Sequence, residues 1–226
     1  DSVFVVSGLS GDIDAETAHQ EAAALCRRVN ERLARYITEE YKVVSHLELE
    51  FEKYYRRFLL PSVRGRNNQG RAKGYAGLRV DTSGEHLEII GMEAVRRDWT
   101  DMAHDLQREL LDLLFHDAPR DDLEERIFQW VSHVRSGRKD NDLVYRKSLR
   151  KPVEDYIRTQ PPHVQAARLM PNPSGVIHYV ITTEGPQPAG RATAPLDYDH
   201  YVQKQIEPLV RTLAEFCDID VDATVN

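Results

Sequence analysis

With 226 residues and 41% hydrophobic content, the chain holds enough apolar material for one large or two small domains, and no run approaches the roughly 18 to 20 apolar residues of a membrane span. Two cysteines, Cys26 and Cys217, supply neither a disulfide framework nor a metal-binding pattern, so a reducing, cytoplasmic setting is the expectation. A net charge of -7 would exclude nucleic acid only if it were spread evenly, and it is not: residues 53–79 hold eight Lys or Arg and no acid, whereas residues 98–125 hold ten acids.

The opening residues 3–6 are wholly apolar and read as a strand inside a sheet; with no Met ahead of them, the start reads as a cut with neighbouring strands upstream. Residues 7–14 form a turn with Asp14 as a helix cap. Ala18, Ala22, Leu25, Val29, Leu33 and Ile37 then recur every three or four positions, predicting a long amphipathic helix packed on a sheet. Residues 46–52 alternate, with Leu47, Leu49 and Phe51 on one face and Glu48, Glu50 and Glu52 on the other, the pattern of a half-buried strand. Three carboxylates on one face need water or cations, which makes Glu50 and Glu52 candidates for bordering a metal site. Strands are predicted at 54–60, 73–80 and after a turn at 82–84, with 63–70 a polar loop. Together they make an antiparallel meander whose loop and edges carry the basic run, a surface suited to phosphates.

The stretch GMEAVRRDWT, residues 91–100, divides strand patterning from helix patterning. Gly91 ends a strand on Leu87, Ile89 and Ile90, and Trp99 opens a helix on Met102, Ala103, Leu106, Leu110, Leu113 and Leu114. A second helix follows on Leu123, Ile127, Trp130, Val131 and Val134, ending at Gly137. Residues 143–168 turn basic again through Arg146, Lys147, Arg150, Lys151, Arg158 and Arg168, and the Pro161-Pro162 pair leads into a short helix. A strand at 176–183, a Pro/Gly-rich loop at 185–195, a last helix over 197–216 and a fraying tail complete the chain. The fold class is α+β: an antiparallel sheet with a packed helix, then a mainly helical part.

Glycine-rich phosphate loops, a GxSxG elbow and paired histidines at zinc spacing are all missing, so a self-contained active site is not expected. Several motifs instead resemble, in order, the C-terminal part of a B-family DNA polymerase of the bacterial DNA polymerase II type. Asp1-Ser2-Val3 looks like the second half of the family's Tyr-x-Asp-Thr-Asp-Ser signature; Lys73 with Tyr75-Ala76-Gly77-Leu78 resembles its Lys-Lys-Arg-Tyr element; and Gly91 to Trp99 resembles Gly-Leu-Glu/Asp-x-Val-Arg-Arg-Asp-Trp. RRFLLPSVRG from Arg56, LVYRKSLRKP from Leu143, PPHVQAARL from Pro161, TTEGPQP from Thr182 and APLDYDHY from Ala194 extend the resemblance over nearly all of residues 1–216.

That resemblance implies the C-terminal part of a palm subdomain at 1–97, a thumb at 98–216 and a tail at 217–226. It implies template-directed nucleotidyl transfer to a primer 3′ end by a two-metal mechanism with Mg²⁺. Asp1 would be a catalytic, metal-holding aspartate; the other aspartates, the fingers and the exonuclease would lie upstream, so the chain alone is expected to be inactive and to hold no ion. Lys73 would reach the minor groove near the primer end and Tyr75 the primer backbone. Ala72 and Gly74 stand where the family usually has Lys and Arg, and Arg71 would replace them in part. Arg64, Arg66, Arg96 and Arg97, with Arg146, Lys147, Arg150, His163 and Arg168, are the remaining DNA-binding candidates. The implied partners are primer-template DNA, dNTP in the intact enzyme and a sliding clamp, in a cytoplasmic, nucleoid-associated setting with no membrane. A non-catalytic duplex-binding module descended from a degenerate polymerase is the alternative, and a protein-interaction scaffold resting on the acidic helix faces is a third reading.

Overall fold

The computed structural model describes residues 3–11, 13–63, 66–70 and 73–225, with backbone alone for 63 and 66–70. Its elements run α1 (Ala15–Tyr41), β1 (Tyr55–Leu59), β2 (Ser62–Val63), β3 (Arg66–Gly70), β4 (Tyr75–Asp81), β5 (Gly84–Ile90), α2 (Asp101–Phe115) and α3 (Arg120–Arg135). Then come β6 (Tyr145–Ser148), α4 (Pro162–Arg168), β7 (Val176–Thr182), β8 (Gly185–Pro188), α5 (Tyr198–Tyr201), α6 (Glu207–Leu213) and α7 (Val221–Val225). The chain forms two compact units, Asp1–Leu59 with Ala76–Glu88, and Leu60–Tyr75 with Ile89–Asn226. The mixed α+β class is as the sequence predicts.

In the first unit Asp14 caps α1, its carboxylate accepting the Thr17 N–H at 2.9 Å and the Thr17 hydroxyl at 2.7 Å. Those bonds hold the Asp14 carboxyl below its usual range. Strand order is β1-β4-β5, with Tyr55 opposite Arg79 and Leu59 opposite Ala76. Gly77 on β4 is required by the Tyr55 ring, which lies across it where a Cβ would sit. The helix meets the sheet through Ala18, packed with Tyr54 and Val80 and flanked by Leu9, Ile13 and Phe51. His19 pins the contact by donating from Nε2 to the Val80 carbonyl at 2.9 Å.

Two predicted strands are absent. Residues 3–6 are extended but unladdered, with Val6 97% exposed, because among the described residues no neighbouring strand offers them a ladder. Residues 46–52 are also extended without being a strand; Asn30 on α1 substitutes for a partner, accepting the Leu49 N–H and donating to the Leu49 carbonyl, both at 2.8 Å. The basic run is also less naked than its sequence. Lys53 meets Glu88 at 2.6 Å, Arg79 meets Asp81 on the same strand at 3.1 Å, and Arg56 pairs with Glu85, so acids just beyond the run neutralise three of its cations. Asp81, held by both Ser83 bonds and then by Arg79, is lowered to about 2.

In the second unit the polar segment read as a loop contains a small hairpin, β2 with β3, in which Ser62 faces Gly70. Helices α2 and α3 pack together, and Met102, Leu106 and Leu110 of α2 and Leu123, Ile127 and Val134 of α3 are all buried. Glu109 fastens the pair, accepting from Trp130 Nε1 at 2.6 Å and meeting Arg126 at 2.7 Å. Strand β6, unpredicted, joins β7 and β8 in an antiparallel sheet with Tyr145 opposite Tyr179 and Tyr179 opposite Pro188. The tail does not fray throughout: Ile219 and Val225 are buried, and Asp220 N donates to Glu124.

The last helix is interrupted. Residues Val202–Ile206 make a π turn, in which the Glu207 N–H reaches the Val202 carbonyl. Pro208 supplies the reason, since it has no N–H to continue an α pattern and its ring would crowd the carbonyl four residues back.

Candidate nucleic-acid interface

The junction at residues 91–100 is built on Gly91. Its φ of 63° is left-handed, and a Cβ there would collide with the Lys73 carbonyl oxygen, so only glycine lets the end of β5 cross the turn that carries Lys73. The Lys73 side chain is exposed in that turn, and Tyr75, half-buried, begins β4. Beyond Gly91, Met92 and Glu93 are buried; Gln107 of α2 donates to Glu93 at 3.0 Å and accepts the Ala94 N–H at 2.5 Å. A buried carboxylate held by an amide is a fixed feature, because an unmet partner there would cost about 1–3 kcal/mol.

Helix α2 starts at Thr100, fully buried, whose hydroxyl accepts the Ala103 N–H at 3.3 Å. Thr100 itself is held from the π turn: its N–H and its hydroxyl both donate to Gln205 Oε1 at 3.0 Å. The distorted turn forced by Pro208 therefore holds the amide that fixes the start of α2. Beside it, Tyr145 stacks on Tyr179 at 5.3 Å and on Tyr201 at 5.6 Å, and the Tyr201 oxygen accepts the Ile181 N–H at 2.8 Å. Burial pushes all three phenols up, Tyr179 to about 12 with the Asp98 charge adding, so the stack is neutral scaffolding.

Charged groups gather on this frame. Arg96 grips Asp98 through Nε at 3.0 Å and through its terminal nitrogen at 2.8 Å, and Arg146 of β6 grips Asp101 with two bonds of 2.7 Å. These bonds hold both carboxyls below their usual range and both guanidinium groups above theirs. His104 donates from Nε2 to the Arg96 carbonyl at 2.8 Å. Lys147, next along β6, is exposed and near enough to lower Asp98 further. His163, 9% exposed and edge-on to Tyr156 at 6.2 Å, has its imidazole pKa lowered by burial first and by Lys147 second.

The segment after β6 is ordered through main-chain oxygens. Lys151 donates to the Asp155 carbonyl at 2.5 Å and lies over the Tyr156 ring at 4.8 Å, while Arg168 donates to the carbonyls of Val153 and Tyr156 at 3.3 and 3.4 Å. Carbonyls orient these cations without cancelling them. Among the described residues Arg97, Lys147, Arg150, Lys151, Arg158 and Arg168 have no carboxylate within ion-pair distance.

The sequence-predicted residues thus separate. Arg96 and Arg146 are partnered by acids, His163 is buried, and Arg97, Lys147, Arg150 and Arg168 present free charge. Asp1, Arg64 and Arg71 lie outside the described residues, as does Ala72, and Arg66 is described by its backbone in β3 alone. Glu50 and Glu52 are exposed in the first unit, with Glu52 3.6 Å from Lys53. Sequence reasoning missed Asp101 as a partner, and missed Gln205. An acid at the first position of α2 was the available signal for Asp101; for Gln205 there was none short of the fold.

The chain is 36% identical over 230 residues to DNA polymerase II of Escherichia coli, covering 96% of this chain and 28% of that protein. It is 28% identical over 201 residues to DNA polymerase 2 of Aeropyrum pernix, covering 82% and 23%. Its length is thus about a quarter of that of these relatives. A solved family B DNA polymerase from Pyrobaculum calidifontis shares the fold, with a TM-score of 0.57 and 20% identity over 91% of this chain and 29% of that one. The sequence model of DNA polymerase family B matches residues 9–216, and the chain belongs to that family.

Proposed function

We propose that this chain is the duplex-holding part of a DNA-directed DNA polymerase, with residues 1–97 in the palm, 98–216 in the thumb and 217–226 a tail. The observation that carries this reading is a set of six cations, Arg97 and five from β6 to α4, that among the described residues have no carboxylate within ion-pair distance, in a chain whose net charge is -7. Cations on a rigid frame, with no base-reading amide among them, bind phosphates irrespective of sequence, which a polymerase grip requires. Arg97, Lys147, Arg150, Lys151 and Arg168 hold the backbone, and Lys73 with Tyr75 meets the primer end. Arg96 and Arg146 serve differently, bracing the start of α2 through Asp98 and Asp101. The degenerate-module reading draws only on Ala72 and Gly74 and has less support.

Mg²⁺, incoming dNTP and a sliding clamp belong to the same proposal as partners of the intact enzyme. The described residues do not fit a metal centre: no three His, Cys, Asp or Glu converge among them, and Glu50 and Glu52 face solvent. The chain's own residues serve grip and alignment. Primer extension by the longer polymerase carrying Lys147→Gln and Arg150→Gln tests it. KM for primer-template should rise about tenfold with kcat within twofold, as expected for lost uniform binding; an unchanged KM would remove this face from the grip.

A further inference from the structure

Helix α1 carries a charged strip that the duplex grip does not use. Arg27, Arg28, Arg32 and Arg35 are all exposed, and among the described residues none lies within ion-pair distance of a carboxylate. In the same unit Arg56 and Arg79 are both paired with acids, so the contrast is local. Residues 27–36 hold four arginines and one acid, Glu31. At about 3.6 residues per turn, Arg28, Arg32 and Arg35 fall within roughly 60° of arc, and Tyr36 borders Arg32 on the same side. Glu21 and Glu39 lie in line with the strip on either side of it and bond to none of its arginines. Tyr36 is 55% exposed, its ring nearly perpendicular to that of Tyr41 with centroids 6.2 Å apart.

We propose that this strip is a second nucleic-acid contact, which takes a single strand by its phosphates and stacks a base on Tyr36. The seven rises from Arg28 to Arg35 span about 10 Å, the axial length of about three phosphates of one strand. The aromatic decides between strand states: duplex bases are already stacked on their neighbours, whereas an unpaired base has a free face for a tyrosine. Guanidinium groups beside that ring supply charge and further stacking planes. The contact lies in the first unit and is independent of the cations around β6.

The test is fluorescence anisotropy of this chain with a labelled single-stranded oligopyrimidine and, separately, with duplex, across a salt series. Arg28→Gln/Arg32→Gln/Arg35→Gln should bind the single strand at least tenfold more weakly at 0.1 M salt. Its log-log salt slope should be shallower by about two, from three cations at about 0.7 each, with duplex binding unchanged. Glutamine and lysine propagate helix nearly as well as arginine, and Arg28→Lys/Arg32→Lys/Arg35→Lys should keep most of the affinity, so a fold defect is separated from lost charge. Tyr36→Leu should weaken an ordinary strand about fivefold and an abasic strand not at all. A triple-glutamine variant with the parental slope overturns the proposal. So does equal loss of binding to polyglutamate, which would assign the strip to an acidic protein surface, and so does equal loss on abasic DNA by Tyr36→Leu, which would remove the stacking.

Discussion

Gly91 is the residue on which the junction depends. Its left-handed φ and its closeness to the Lys73 carbonyl mean that Gly91→Ala should destabilise the chain by about 2 kcal/mol or more, read as a lower urea midpoint. A change within about 0.5 kcal/mol would show that the turn carrying Lys73 can give way. Asp101 makes the opposite kind of prediction. It neutralises Arg146, so Asp101→Asn should release that guanidinium and tighten duplex binding a few-fold at low salt; weaker binding would mean that bracing α2 matters more than the freed charge. The pH dependence follows from the direction of the shifts. Asp98 and Asp101 are both held low, so their stabilisation is complete above the unfolded carboxyl value of about 4 and is lost as pH falls through their lowered values. Their side chains are 37% and 43% exposed, which limits each pair to under about 1 kcal/mol. Acid titration of Asp98→Asn/Asp101→Asn should show a correspondingly smaller loss of stability between about pH 4 and 2 than the parent.

At the level of elements, the long helices were legible and the strands much less so. Helices α1, α2 and α3 declare themselves by local periodicity, and Asp14 caps α1 as its side chain dictates. A strand depends on a partner that periodicity cannot name: residues 46–52 alternate well and yet find Asn30 instead of a ladder. The partners of Lys53 and Arg56 were hidden for the same reason, because Glu88 and Glu85 lie some 30 positions away in sequence and meet them only in the fold. Family motifs located the junction and the β6 segment, but only the fold shows that Arg96 and Arg146 spend their charge on Asp98 and Asp101. The break at residues 202–206 was readable from Pro208 alone, and its use was not, since Gln205 is 105 positions from Thr100. Gln205→Leu leaves two buried donors unmet and should cost about 2 kcal/mol, with faster amide exchange at residues 100–103. Protection equal to that of the parent would show that the α2 start holds without the π turn.

Over the whole molecule, charge sorts by place. A chain of net charge -7 leaves cations unpaired around β6 and α4 and along α1, while the α2–α3 pair keeps its acids. On the proposal that this chain holds duplex DNA, that separation has a reason, since a duplex is held through its phosphates whatever its sequence. The most direct measurement is therefore the affinity of this chain for duplexes of unrelated sequence between about 0.05 and 0.2 M salt. Equal affinities at each salt concentration and a log-log slope of about -4 are expected, as several cations displace counterions. Affinity that ignores salt, or that differs strongly between sequences, would contradict the proposal.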